Sequence, residues 1–204
     1  MFVRTESLSG FIKFYPVVSS LIVIQVALFL VQWVPFIPAR EWYELLSGAN
    51  LAIAEGEIWR LLTPIFLHWN FSHIFFNSVS LILFAPPLER LLGRWKFISL
   101  FIITGAMANL FTFLIMPLTY VHIGSSGAIF GLFGFYIAVI LFNRQMLNKQ
   151  MRSQIIPITT IALLLSFFQP NINLTAHFTG FAAGLIVGWL YLRKKDRPVF
   201  HHPL

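Results

Sequence analysis

Four polar side chains in this otherwise apolar chain have the types needed for acyl transfer. They are Ser126 within Gly124-Ser125-Ser126-Gly127, His177 within Ala176-His177-Phe178-Thr179-Gly180, and the pair His73 and Asn77. A serine hydroxyl is a weak nucleophile until a neighbouring base takes its proton, and neutral imidazole suits that work near pH 7. The tetrahedral intermediate then needs donors for its oxyanion, which His73, Asn77 and the Ser126 backbone amide at a helix start could supply. The same residues admit a plainer reading. Small and hydroxyl residues at a helix start more often serve packing and capping. A lone histidine in an apolar segment is more often a hydrogen-bonded structural group or part of a proton path.

The elements that must position these groups are membrane spans. Of 204 residues, 58% are hydrophobic and only 10% charged, against about 25% charged in soluble proteins. The apolar residues fall into blocks long enough to cross a hydrocarbon core. The spans are expected near residues 17–34, 71–88, 97–118, 126–142, 155–168 and 172–192, in a single domain covering 1–204. The fold class is therefore all-α, a polytopic six-helix bundle. The first block lacks a small-x-small cleavage site before Arg40 and reads as an uncleaved span. The second is expected to end at Ala85-Pro86-Pro87, because proline breaks regular helix, and the fifth is short and interrupted by Pro157. The long connection 35–70 interleaves Trp42, Tyr43, Trp59 and Trp69 with Arg40, Glu41, Glu44, Glu55, Glu57 and Arg60. That mixture predicts an interfacial loop containing short helices.

Lys and Arg set the orientation. The lead carries two, the 89–96 connection three, the 143–154 connection three and the tail four, whereas the 35–70 loop has two and the 119–125 and 169–171 connections none. Both termini are thus expected in the cytoplasm, and the net charge of +7 reflects cytoplasmic loops rather than a nucleic-acid face. Spans two, four and six then all run inward from the outer side. His73 and Asn77, Ser126, and His177 lie near their outer starts, at a similar depth. His73 and Asn77 are four apart and share a helix face. Gly127, Gly131 and Gly134 on span four and Gly180, Gly184 and Gly188 on span six let two helices approach closely. Their contact would bring Ser126 within reach of His177.

The inventory excludes several rivals. No His-Glu-x-x-His is present, no intramembrane Asp pair exists, and the absence of cysteine removes thiolate chemistry. The run around Ser126 lacks the glycine spacing of a hydrolase nucleophile elbow. The only Asp is Asp196 in the tail, and Glu89 is expected at the cytoplasmic end of span two, so a serine hydrolase here would use a Ser–His dyad. His68 and His73, five apart, fit one helix face poorly as a metal pair. His122, His201 and His202 receive no role, and no cofactor or metal is expected.

With these residues assembled, the chain resembles the rhomboid family of intramembrane serine proteases. The likeness rests on Trp59-Arg60, on His73-Ile74-Phe75-Phe76-Asn77 with His68 upstream, on Glu89-Arg90-Leu91-Leu92-Gly93, and on the motifs around Ser126 and His177. It implies Ser126 as nucleophile, His177 as general base, and an oxyanion hole from His73, Asn77 and the Ser126 amide. It also implies a cavity opening to the extracytoplasmic side, lateral access between spans two and five, transmembrane proteins as substrates, and the minimal six-helix form in the cell membrane. Three positions depart from the pattern: Ser125 where alanine is common, Phe130 where some relatives have tyrosine to stack on the histidine, and Ala85 for glycine before the paired prolines. Two other classes fit the polar groups: a catalytically silent relative that binds membrane segments, and a small-solute transporter. Retention of both Ser126 and His177 argues against the first. The lack of charge within the spans argues against the second, although neutral solutes would not require it.

Overall fold

The computed structural model describes residues 6–34, 36–168 and 172–193. Arg4, the turn 169–171 and the tail from residue 194, with Asp196, His201 and His202, lie outside the described residues. Among those described, the α-helices are α1 (Leu8–Phe14), α2 (Pro16–Val31), α3 (Ala39–Leu46), α4 (Asn50–Ala54), α5 (Phe71–Leu92), α6 (Arg94–Ile115), α7 (Ser126–Phe142), α8 (Lys149–Ser166) and α9 (Leu174–Leu192). One two-residue antiparallel ladder joins β1 (Gly48–Ala49) to β2 (Val121–His122), with Gly48 opposite His122.

α7 coincides with the expected fourth span and forms the centre of the bundle. It is apolar around its whole circumference, the pattern of a helix buried from all sides, and every residue from Gly127 to Tyr136 is buried. α9 makes the most extensive contact with it, and α6 packs on another flank. Glycines set that closeness. A Cβ on Gly180 would strike the Gly127 carbonyl, one on Gly184 the Gly131 carbonyl, and one on Gly134 the Phe181 carbonyl. The approach expected between the fourth and sixth spans is present.

Two helices run through prolines that the sequence reading treats as breaks. α5 continues past Pro86 and Pro87 to Leu92 and stops at Gly93 with φ 74°. α8 starts at Lys149 and passes Pro157. A membrane helix tolerates proline where neighbours satisfy the freed backbone groups. The Tyr136 hydroxyl of α7 donates to the Phe84 carbonyl at 2.7 Å, tying the two helices together two residues before Pro86.

The continuation of α5 gives Glu89 a task. It is buried, and its two carboxylate oxygens accept from the amides of Val17 and Val18 at 3.0 and 2.9 Å. Pro16 at the first position of α2 has no N–H, so the carboxylate meets the next two amides that the helix itself leaves unpaired. Hydrogen bonds to an ionised acceptor contribute about 1.5–3 kcal/mol each, and negative charge suits a helix N-terminus. Glu89→Ala is therefore expected to cost at least about 2 kcal/mol, with Glu89→Gln, which keeps one good acceptor, losing roughly half as much. Thermal unfolding in detergent reads the difference; unchanged melting of Glu89→Ala would refute the cap.

The 36–70 connection contains the short helices α3 and α4, and polar side chains tie it down beside a small apolar cluster of Tyr43, Leu67 and Ile123. Arg60 is buried, pairs with Glu57 at 2.6 Å, and donates to the carbonyls of Glu44 and Ser47 at 2.5 and 2.8 Å. Asn50 donates to the Met116 and Pro117 carbonyls at 3.1 and 3.0 Å, fastening α4 to the end of α6. His122, given no role from sequence, is buried against Gly48 and meets Asn109 Oδ1 through Nε2 at 3.2 Å. Burial pushes its pKa down to about 4, so it is a neutral structural link between the ladder and α6.

Among the described residues, α5, α6 and α9 are long and apolar enough to cross a membrane. α1 and α2 together would form a fourth span bent by 112°, and α7 is apolar but shorter. Their outward faces carry exposed Leu114, Ile115, Ile186 and Leu190. The chain is a multi-pass membrane protein with an all-α bundle.

Candidate active site

α7 begins at Ser126 because Gly124 turns the chain sharply just before it. Gly124 has φ 128°, in the region that favours glycine, and its amide donates to the Pro64 carbonyl at 2.8 Å. A Cβ there would also lie 2.6 Å from His73 Nε2, so this glycine admits the His73 ring against the loop that leads into Ser126. Asparagine side chains cap α5, α8 and α9, with Asn70, Asn148 and Asn173 accepting from the amides of His73, Met151 and Ala176. α7 has no side-chain cap. The partial positive charge of its N-terminus therefore faces the site without a side chain neutralising it.

His177 lies in the second turn of α9, whose start is fixed when Asn173 accepts from Ala176 and donates to Thr112 Oγ1 at 2.9 Å. Its Nε2 is 2.9 Å from Ser126 Oγ. The Phe130 ring stacks on the imidazole, centroids 4.2 Å apart and 28° between planes, without a hydroxyl to offer. His177 is buried and Ser126 half-buried, an arrangement in which a substrate can reach the hydroxyl while the base is shielded from bulk water.

Ser125 is placed differently. It is fully buried, with Oγ 3.5 Å from both Gln25 Oε1 and His68 Nε2. His68 precedes α5 instead of lying on it, so the helix-face argument does not apply to it, and its ring meets His73 edge-on at 4.9 Å. Burial, and secondarily the neighbouring His73, hold His68 well below the ordinary histidine range, at about 3. Its backbone carbonyl accepts from the Tyr43 hydroxyl at 3.3 Å. His68 and Ser125 thus join the first loop to the turn before α7. Among the described residues, no group of three or more potential ligands could hold a metal ion.

Asn77 is buried, and its Nδ2 has no hydrogen-bond partner within the protein. Buried polar groups are rarely left so. A donor that lacks a partner in the resting protein is the type of group that awaits an anionic oxygen.

One contact was not foreseen. The Ser166 hydroxyl, in the last turn of α8, lies 2.7 Å from His177 Nδ1 and donates to the Ala162 carbonyl at 2.8 Å. The histidine is held at both nitrogens. The available signal was the expected topology, in which the fifth span would run outward and its C-terminal end would reach the depth at which the second, fourth and sixth would begin.

Residues 55–194 match the Rhomboid domain family. The chain is 43% identical over 197 residues to YdcA of Bacillus subtilis (strain 168), which is provisionally named a rhomboid protease, covering 97% of this chain and 99% of that protein. It is 37% identical over 135 residues to the rhomboid protease GluP of the same organism, covering 66% of this chain and 26% of GluP. It is 31% identical over 174 residues to rhomboid-like protease 1 of Toxoplasma gondii, covering 82% of this chain and 59% of that protein.

Proposed function

This chain belongs to the rhomboid family, and from that premise we propose that it is an intramembrane serine endopeptidase acting through a Ser126–His177 dyad. The observation that carries the reading is the 2.9 Å contact between Ser126 Oγ and His177 Nε2, made by side chains from two helices whose backbones touch. The relatives named as proteases support the activity at the level of the family.

In the proposed reaction, His177 Nε2 takes the Ser126 proton as Oγ attacks the carbonyl carbon of a peptide bond. The oxyanion of the tetrahedral intermediate receives hydrogen bonds from the Ser126 amide, Asn77 Nδ2 and His73. His177 then passes its proton to the leaving amine, the C–N bond breaks, and an ester to Ser126 remains. Water, deprotonated by the same imidazole, hydrolyses that ester and restores the serine. Substrates are transmembrane segments with small residues at the cleaved bond and helix-weakening residues nearby, because a regular helix conceals its carbonyls from attack.

The proposed topology is six spans in a single domain covering 1–204, formed by α2, α5, α6, α7, α8 and α9. Both termini are cytoplasmic in the cell membrane, and the site opens outward. α8 counts among the spans because it has 18 residues, or about 27 Å of helix. The distribution of Lys and Arg supports the orientation.

Purified protein reconstituted with a transmembrane test substrate, and treated separately with a fluorophosphonate, tests the reading. Cleavage at one bond and covalent labelling of Ser126 are expected. Labelling confined to Ser125, or solute flux without cleavage, would overturn it. Asn77→Ala is expected to lower kcat about 100-fold with little change in KM, since an oxyanion donor acts chiefly in the transition state. A rise in KM at unchanged kcat would remove Asn77 from the oxyanion hole.

A further inference from the structure

The geometry points to Ser166 as a positioning residue that holds His177 in the tautomer the dyad requires, an inference that rests on the protease reading above. A serine hydroxyl has one hydrogen and two lone pairs. In Ser166 the hydrogen is directed at the Ala162 carbonyl, 2.8 Å away and one turn back on α8. The oxygen is then an acceptor towards His177 Nδ1, 2.7 Å away. A neutral imidazole carries one proton, and an acceptor facing Nδ1 draws it there. The Nε2 lone pair is left facing Ser126 Oγ at 2.9 Å, as a general base requires.

The alternative tautomer is disfavoured by the same inventory. With the proton on Nε2, the Nδ1 lone pair would face the lone pairs of Ser166, and Nε2–H would be directed at the nucleophile whose proton it must accept. Ser166 is 3% exposed, so water does not readily substitute for it. Phe130 constrains the plane of the ring, and Ser166 constrains its rotation within that plane. A neutral hydroxyl thereby takes the place that a carboxylate holds in a triad. It orients the imidazole and receives the Nδ1–H of the imidazolium, with a smaller effect because it carries no charge.

Steady-state cleavage of a transmembrane test substrate by wild type, Ser166→Ala and Ser166→Thr tests this, with Ser126→Ala as reference and ¹⁵N NMR of labelled His177 alongside. Ser166→Ala is expected to lower kcat about tenfold at unchanged KM, the effect of one neutral hydrogen bond. Ser166→Thr is expected to restore most of the rate, since threonine also bonds back to the preceding turn. The resting imidazole should show its proton on Nδ1 in wild type and a shifted tautomer balance in Ser166→Ala. Ser126-dependent cleavage that Ser166→Ala leaves at the wild-type rate would overturn the positioning role alone. So would failure of threonine to rescue, or a loss expressed in KM. Absence of Ser126-dependent cleavage in wild type would overturn the protease reading, and the catalytic meaning of Ser166 with it, even if the NMR tautomer shift were observed.

Discussion

Ser126→Ala and His177→Ala are each expected to lower turnover of a transmembrane substrate by roughly 10⁴-fold or more, because nucleophile and base act as one unit. Combining them should cost little more than either alone, since either change already disables the unit. Neither change should harm the fold. Alanine fits wherever serine fits, and the Phe130 ring that covers the imidazole also meets Phe133 edge-on, centroids 5.8 Å apart. Ser125→Ala is the informative contrast. Its hydroxyl makes only 3.5 Å contacts and is fully buried, so cleavage should stay within about threefold of wild type, in line with the small worth of a long, weak hydrogen bond. Kinetics of all four variants at matched detergent and lipid would decide. Cleavage surviving in Ser126→Ala but lost in Ser125→Ala would transfer the nucleophile to the neighbouring residue.

Gly184→Val is expected to abolish activity by a different route. A Cβ at Gly184 would collide with the Gly131 carbonyl, and backbone cannot rotate aside as a side chain can. α7 and α9 would have to separate. The contact between Ser126 and His177 would open, and stability would fall by on the order of 3 kcal/mol, as for other overpacked cores. Gly105→Ala supplies the comparison. Its Cβ would approach Ile65 Cδ1 at 2.7 Å, the end of a side chain that can change rotamer, so a cost below about 1.5 kcal/mol and substantial activity are expected. Thermal unfolding together with fluorophosphonate labelling separates the two. Near-normal labelling of Gly184→Val would show that the interface does not set the dyad distance.

The parts legible in the sequence were those carried by residue type and local period. The start of α7 at Ser126 follows from a glycine turn leading into an unbroken apolar run, and the packing of α7 on α9 follows from glycines spaced along both. Helix ends at proline differ from the expectation because the rule that proline stops a helix suits an exposed helix free to end there, whereas Phe84 to Glu89 are buried among the other helices. The pairing of His68 with His73 escaped because His68 lies before the helix, where period says nothing. Ser166 and His122 depend on contacts across 11 and 13 residues that close only when the loops are in place. An isolated serine at the end of Leu163-Leu164-Leu165-Ser166 gives no periodic signal. Only tracing its span outward would have placed it beside the histidine.

The central helix is also short. α7 has 17 residues, about 26 Å of helix, whereas α5 and α6 have 22 each, about 33 Å. A hydrocarbon core is about 30 Å thick. Leu141 and Phe142 at one end of α7 are exposed, whereas Gly127 to Tyr136 are buried, so α7 is enclosed by its longer neighbours along most of its length. A short helix enclosed by longer neighbours ends inside the bundle, and the bilayer that matches those neighbours sets the depth at which it lies. In the proposed reaction that depth sets the path by which water reaches the acyl intermediate. Bilayer thickness thereby becomes a variable of the proposed reaction, so cleavage rate should vary with acyl-chain length in reconstituted vesicles.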